Sequence, residues 1–158
     1  GAVRRPMILA VAGTGPYAAA YRDVVRREGW SDVVRFLGHR TDVADLMVAA
    51  DVVVLPSVAE AFGLALAEAL YLGTPVVASR VGGIPEIVED GVDGLLVPAG
   101  DRFALATSIA SLLEDSELRQ KMAGAARDRV KAKFSFQEML RGYEGLYQRW
   151  SEATSDGT

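Results

Sequence analysis

The chain has 158 residues, half of them hydrophobic and about a quarter charged, the size and composition of one globular domain with its own core. Seventeen basic against twenty-one acidic residues give a net charge of −4, which leaves no electrostatic footprint for nucleic acid. Cysteine is absent and His39 is the single histidine, so disulfides, thiolate or multi-histidine metal sites and cysteine nucleophiles are excluded, and little remains for a Ser/His/Asp triad.

Met7–Ala12 is an apolar run that follows Arg4 and Arg5 and precedes Ala18-Ala19-Ala20, an order that imitates a secretory signal. Six apolar residues cut by Gly13-Thr14-Gly15-Pro16 are too few for a signal core of about 7–15, so a buried strand is expected. No stretch reaches the ~18 apolar residues of a membrane span. Gly1 is not an initiator methionine, so a processed chain or a piece of a longer one is expected. A helix over 17–28 follows, with Ala20, Val24 and Val25 on one face, then a strand over 33–37 closed by Gly38. Residues 42–50 form a short helix with Thr41 or Asp42 available as N-cap. Residues 51–56 are continuously apolar after Asp51, the pattern of a strand buried on both faces of a parallel sheet. Residues 61–72 have helical length and stop at Gly73 and Pro75, and two short strands follow at 75–78 and 94–97. This β-α-β-α alternation implies an α/β fold: a Rossmann-like open parallel sheet of about five strands with helices on both faces.

From Asp101 onward only helices are expected, over 103–113, 117–131 and 137–150. Tyr143, Tyr147 and Trp150 recur at helical spacing on the last one, which is usually core packing. Residues 151–158 read as a disordered polar tail, so the folded domain is expected to span 1–150.

The stretch from Pro56 to Leu70 carries the chemistry. It follows a buried strand and opens a helix, so it lies at the carboxyl end of the sheet, where open α/β folds bind ligands. Phe62, Gly63 and Leu64 would present backbone N–H groups at a positive helix end, which suits a phosphate. Glu60 stands before that helix. Glu68 lies five residues past Gly63, about 7.5 Å further along the axis, where an ionised carboxylate can accept from sugar hydroxyls. That geometry fits a nucleotide or another phosphorylated sugar.

Glu60 and Glu68, with seven residues between them, stand in the frame Glu60-Ala61-Phe62-Gly63-Leu64…Glu68-Ala69-Leu70…Gly73-Thr74-Pro75. This resembles the E-x7-E motif of the retaining GT-B glycosyltransferases of group 1, also called family 4. The likeness continues through Gly82-Gly83-Ile84-Pro85-Glu86, Gly91-Val92-Asp93-Gly94, Gly13-Thr14-Gly15-Pro16 and Val34-Arg35-Phe36-Leu37-Gly38, covering about residues 7–150. The resemblance implies the C-terminal, donor-binding half of a two-domain GT-B enzyme, its partners being a nucleotide-sugar donor and an N-terminal acceptor domain. It implies too that the last helix crosses back onto that N-terminal domain, which would leave Tyr143, Tyr147 and Trp150 partly exposed here. It implies Glu60 as the catalytic carboxylate at the donor sugar or its phosphate, Glu68 at the ribose, and Phe62, Gly63 and Leu64 at the sugar diphosphate. Gly38, His39 and Arg40 would cradle the nucleobase. Gly82 and Gly83 would line the same cleft, with Gly13 and Gly15 in the donor-binding set. No cofactor or metal is implied: the nucleotide sugar, UDP- or GDP-linked, is substrate. The complete enzyme would sit in the cytoplasm or at the inner membrane surface.

The family's C-terminal domain normally opens with a further strand ending in Gly-Arg and then a Lys-Gly pair, and neither lies in this sequence. Each lost charge-assisted contact is worth roughly 1.5–3 kcal/mol, so this chain alone is expected to bind a nucleoside diphosphate at about millimolar strength and to transfer no sugar. Without that strand, 7–12 would pair directly with 52–55 or leave an edge open to self-association with another chain.

Competing readings attach to single motifs. Gly13-Thr14-Gly15-Pro16-Tyr17-Ala18 fits G-x-G-x-x-A, but Gly38-His39-Arg40 stands where NAD would require an acid, so an NADP-dependent oxidoreductase fragment is one alternative. A noncatalytic nucleotide- or phosphate-binding module is another. Arg40 and Arg80 are candidates for a phosphate or for plain solvation. Asp90-Gly91-Val92-Asp93-Gly94 lacks the acids of a calcium loop and reads as a turn before a strand.

Overall fold

A computed structural model describes the backbone of residues 7–155 and the side chains through Ser151. The chain forms two compact units, one ending at Val43 and the other beginning at Ala44.

The first unit holds β1 (Leu9–Ala12), α1 (Ala18–Arg27) and β2 (Val34–Gly38). β1 pairs in parallel with β2, Leu9 opposite Val34 and Val11 opposite Phe36. The ladder continues past the strand ends, since Gly13 N–H donates to the Gly38 carbonyl at 2.7 Å. Arg22 on α1 lies 4.6 Å over the Phe36 ring, a cation–π contact that ties helix to strand. All four residues of β1 are exposed.

The second unit runs α2 (Val43–Ala49), β3 (Val53–Leu55), α3 (Leu64–Leu72), β4 (Val76–Ser79), α4 (Ile84–Ile87), β5 (Gly94–Val97), α5 (Arg102–Glu114), α6 (Ser116–Lys133) and α7 (Phe136–Ser155). Its sheet has the order β3-β4-β5, all parallel. β4 is buried along its whole length, as its unbroken Val-Val-Ala-Ser run requires. Val77 packs with Val97, Leu112 and Met122 on one face. Val76 and Ala78 point to the other face by strand alternation, and Leu66, Leu70, Ile84 and Ile87 complete the core at zero exposure. Asp101 and Asp115 start α5 and α6 by accepting from Ala104 and Leu118 N–H, each at 2.9 Å.

The α/β class, the parallel pairing and the five strands follow the sequence. The strands form sheets of two and three, with the orders β1-β2 and β3-β4-β5. The structure also carries α7 through Ser155, so residues 151–155 are helical rather than tail; 156–158 lie outside the described residues, as do 1–6. Tyr143, Tyr147 and Trp150 are 55, 69 and 70% exposed, so their helical spacing marks an exposed stripe, as the family resemblance implied, and not core.

α6 holds the second unit together through its cationic side chains. Arg127 donates from Nε and Nη2 to the Leu72 carbonyl at 3.3 and 2.8 Å, satisfying the C-terminal end of α3. Lys133 Nζ donates to the Glu86 carbonyl at 2.6 Å. Arg129 donates to the Ile87 carbonyl and pairs with Asp93, which is fully buried and also accepts the Glu89 N–H at 2.8 Å. A buried carboxylate is tolerated only while its partner remains. Asp93→Ala would strand Arg129, and the expected loss is about 3 kcal/mol or more of unfolding free energy in urea. A loss within about 0.5 kcal/mol, the range of ordinary surface substitutions, would contradict this assignment.

Candidate functional site

The loop from Pro56 leaves the carboxyl end of β3 and enters α3 at Gly63, later than the expected start at Ala61. Gly63 adopts φ 94° and ψ 48°, a left-handed conformation that a side chain disfavours. Its carbonyl is the first acceptor of the helix, bonded by Leu66 N–H at 2.9 Å and Ala67 N–H at 3.4 Å. The N–H groups of Gly63, Leu64 and Ala65 therefore precede every carbonyl of the helix ladder and sit at its positive end. Glu60 is half-buried beside this turn; a Cβ on Gly63 would lie 3.7 Å from Glu60 Cγ. Ser57 Oγ lies 3.5 Å from Glu60 Oε2, the outer limit of a hydrogen bond. Phe62, Leu64 and Glu68 are exposed.

The turn after β4 supports this loop from below. Gly82, at φ 50°, lies directly against the Glu60 carbonyl, in the space any Cβ would occupy. Gly83 N–H donates to the Ala61 carbonyl at 3.1 Å, and a Cβ on Gly83 would stand 2.6 Å from that oxygen and 3.2 Å from Phe62 Cα. The structure thus brings Glu60, Phe62, Gly63, Gly82 and Gly83 together, with Leu64 and Glu68 continuing along α3. A pure-acceptor carboxylate, a row of free amides and a second carboxylate one turn and more along the helix can hold an anion attached to a polyol.

In the first unit, Gly13 and Gly38 meet backbone to backbone at the carboxyl ends of β1 and β2, and the Gly15 carbonyl accepts Ala18 N–H at 3.1 Å in the turn into α1. His39 and Arg40 follow β2 and are exposed. Arg40 is committed to Asp42, with Nε and Nη2 at 2.7 and 2.5 Å from the two carboxylate oxygens. That hydrogen bonding holds the Asp42 carboxyl below the usual carboxylate range and raises Arg40. Arg80 is likewise paired, with Asp90, whose other oxygen accepts Leu96 N–H at 2.9 Å. Both acids of the 90–94 turn are therefore structural. Among the described residues no group of three or more acids and histidines could hold a metal ion, and no helix is long and apolar enough to cross a membrane.

One neighbour of the site has no local signal in the sequence. Phe134, just past α6, packs edge-on against Phe62 with ring centroids 5.9 Å apart and planes at 87°. The short helix α4 was equally unmarked, lying between two glycine-rich turns.

Residues 3–129 match the family described as Glycosyl transferases group 1. The chain is 37% identical over 139 residues to N-acetyl-alpha-D-glucosaminyl L-malate synthase of Bacillus anthracis, covering 88% of this chain and 36% of that protein. It is 39% identical over 130 residues to D-inositol 3-phosphate glycosyltransferase of Corynebacterium kroppenstedtii, covering 81% of this chain and 29% of that one. Among solved structures it resembles HepE of Anabaena in complex with UDP and glucose, with TM-score 0.77 and 30% identity over 94% of this chain and 40% of that one. Sucrose-phosphate synthase of Thermosynechococcus elongatus gives TM-score 0.79 and 33% identity over 92% of this chain and 39% of that one. The chain thus spans about a third of the length of these curated relatives.

Two measurements check the site's local physics. Gly82→Ala is expected to cost about 2–4 kcal/mol, combining left-handed backbone strain with overlap on the Glu60 carbonyl. Gly124→Ala, with nothing within 4 Å on α6, should instead stabilise by about 0.5–1 kcal/mol. Equal effects of the two in urea unfolding would rule out the close approach. Because Asp42 is depressed in the folded state, its contribution is present above the unfolded carboxylate pKa and is lost as pH falls through the lower folded one. Arg40→Ala should return the Asp42 carboxyl titration, followed by NMR, to the ordinary range near 3.9; an unmoved titration would show that another group depresses it.

Proposed function

The chain belongs to the group 1 glycosyl transferases, and from that premise we propose that it is the C-terminal, donor-binding domain of a retaining family 4 enzyme of GT-B architecture. The carrying observation is the start of α3: three N–H groups ahead of the helix ladder, Glu60 half-buried beside them, and Glu68 exposed five residues beyond Gly63. The diphosphate of a nucleotide sugar takes the amides of Gly63 and Leu64 at the positive helix end, together with that of Phe62 on the loop just before it. Glu68 accepts from the ribose hydroxyls, and Glu60 faces the donor sugar. Gly82 and Gly83 hold the loop that carries these groups.

The reaction is hexosyl transfer from a UDP- or GDP-linked donor to an acceptor, with retention. The UDP and glucose bound to HepE support the uridine form. Amides aimed at the departing diphosphate stabilise its growing charge, and a carboxylate beside the sugar stabilises an oxocarbenium-like state. The acceptor lies on a further, N-terminal domain, a partner in keeping with the third of each relative's length that this chain covers. Gly38, His39 and Arg40 take the nucleobase through backbone, since Arg40 is bonded to Asp42. Gly13 and Gly15 shape the turn after β1 within the donor-binding set. The exposed β1 offers an edge for self-association, and the complete enzyme works in the cytoplasm or at the inner membrane surface.

Titration of the chain with UDP, GDP and ADP, followed by NMR, tests the assignment. Glu68→Gln should weaken nucleoside diphosphate binding by about tenfold, since a neutral amide is a poorer acceptor for two hydroxyls. Glu60→Gln should spare the free diphosphate and weaken the intact nucleotide sugar. Unchanged affinity in Glu68→Gln, or tight NADPH binding in place of any diphosphate, would reject the assigned site.

A further inference from the structure

We propose that Phe134 is a positioning residue for the turn Glu60–Leu64: its ring fixes Phe62 and thereby sets the direction of the first N–H groups of α3. The claim about position stands on the structure, and its consequence for ligand binding rests on the diphosphate reading above.

The two ends of this contact differ in how firmly they are held. Phe134 closes α6, its N–H donating to the Val130 carbonyl at 2.9 Å, and Val130 is buried. The same helical end is fastened by Lys133 to the Glu86 carbonyl and by Arg129 to Ile87 and Asp93. Lys133 Nζ also lies 5.6 Å over the Phe134 ring. Phe134 is therefore anchored through its backbone at a fastened helix end, with its ring 38% exposed. Phe62 lies on a loop, 40% exposed, fastened to the α4 turn through the backbone of Glu60 and Ala61. Those backbone contacts reach as far as Phe62 Cα; the direction of the Phe62 ring beyond them is left to side-chain packing. The edge-on ring contact supplies that packing, in the T-shaped arrangement that aromatic quadrupoles favour. Phe62 immediately precedes Gly63, whose permissive backbone would otherwise let the loop swing at the helix entry. A residue more than seventy positions away thus determines the aim of the amides without standing among them.

The test uses the whole chain and reads the amide resonances of Phe62, Gly63 and Leu64 by NMR, together with UDP affinity. Phe134→Ala should shift or broaden those three resonances while leaving Leu118, Met122 and Ala126 in place. The UDP dissociation constant should rise about two- to tenfold. Phe134→Tyr, which keeps the ring, should preserve both readouts. The double variant Phe62→Ala/Phe134→Ala should bind no more weakly than Phe62→Ala alone, because both remove one contact. Unmoved resonances in Phe134→Ala, or additive losses in the double variant, would overturn the proposal. Should Phe134→Ala fail to fold, Phe134→Leu keeps the bulk, removes the ring and carries the same two outcomes. If the parent chain binds no UDP, the diphosphate reading fails, while the resonances still decide the role of Phe134.

Discussion

The structure around the candidate site depends on one steric constraint, the approach of the Gly82–Gly83 turn to the backbone of Glu60, Ala61 and Phe62. Two segments from different strand ends touch with no side chain between them, and Gly83 N–H seals the contact on the Ala61 carbonyl. Because both segments are loops, neither has a ladder of its own to hold it. Their mutual contact converts the exit of β3 and the exit of β4 into one rigid floor. The point at which α3 begins follows, since Gly63 turns through the left-handed region next to that floor. The positive end of the helix and the two carboxylates inherit their positions from it.

α6 protects this arrangement from behind. Its sequence is strongly polar, and it is bound by charge as much as by burial: Met122, Ala126 and Val130 enter the core while Arg127, Arg129 and Lys133 cap carbonyls of α3 and α4. The Asp93–Arg129 pair adds little net stability over an apolar alternative of equal volume, yet leaving either partner alone is costly. Such a pair fixes one register of helix against turn. It therefore places Phe134 against Phe62 and Lys133 against Glu86 in a defined geometry rather than among several loosely packed ones.

Much of this was legible in the sequence. The unbroken apolar run at 76–78 marked a strand that a parallel sheet buries, the run at 52–55 marked a strand that is only half-buried rather than buried on both faces, and Gly73 marked the end of α3. The places of Glu60, Gly63 and Glu68 were readable because they follow from chain order along one loop and one helix. What stayed hidden was set by contacts across the chain. The division of strands into sheets of two and three depends on which edges meet, and the sequence left open whether 7–12 pairs with 52–55 or keeps an open edge. Phe134 looked like an ordinary residue at a helix end, and Asp93 like a turn former, because their partners lie 72 and 36 residues away. On α7 the helical spacing of Tyr143, Tyr147 and Trp150 alone suggested core, while the family resemblance implied the partial exposure that the structure shows.

The most direct test of the account is a map of amide chemical shifts as UDP is added to the whole chain. At the helix entry free amides and a supporting glycine turn stand beside Glu60, with Glu68 further along α3, so the largest shifts are expected over 60–68 and at Gly82 and Gly83. A response confined instead to Arg22, Arg26 and Arg35 of the first unit, or one spread evenly over exposed amides, would contradict the assignment of this helix end as the donor site.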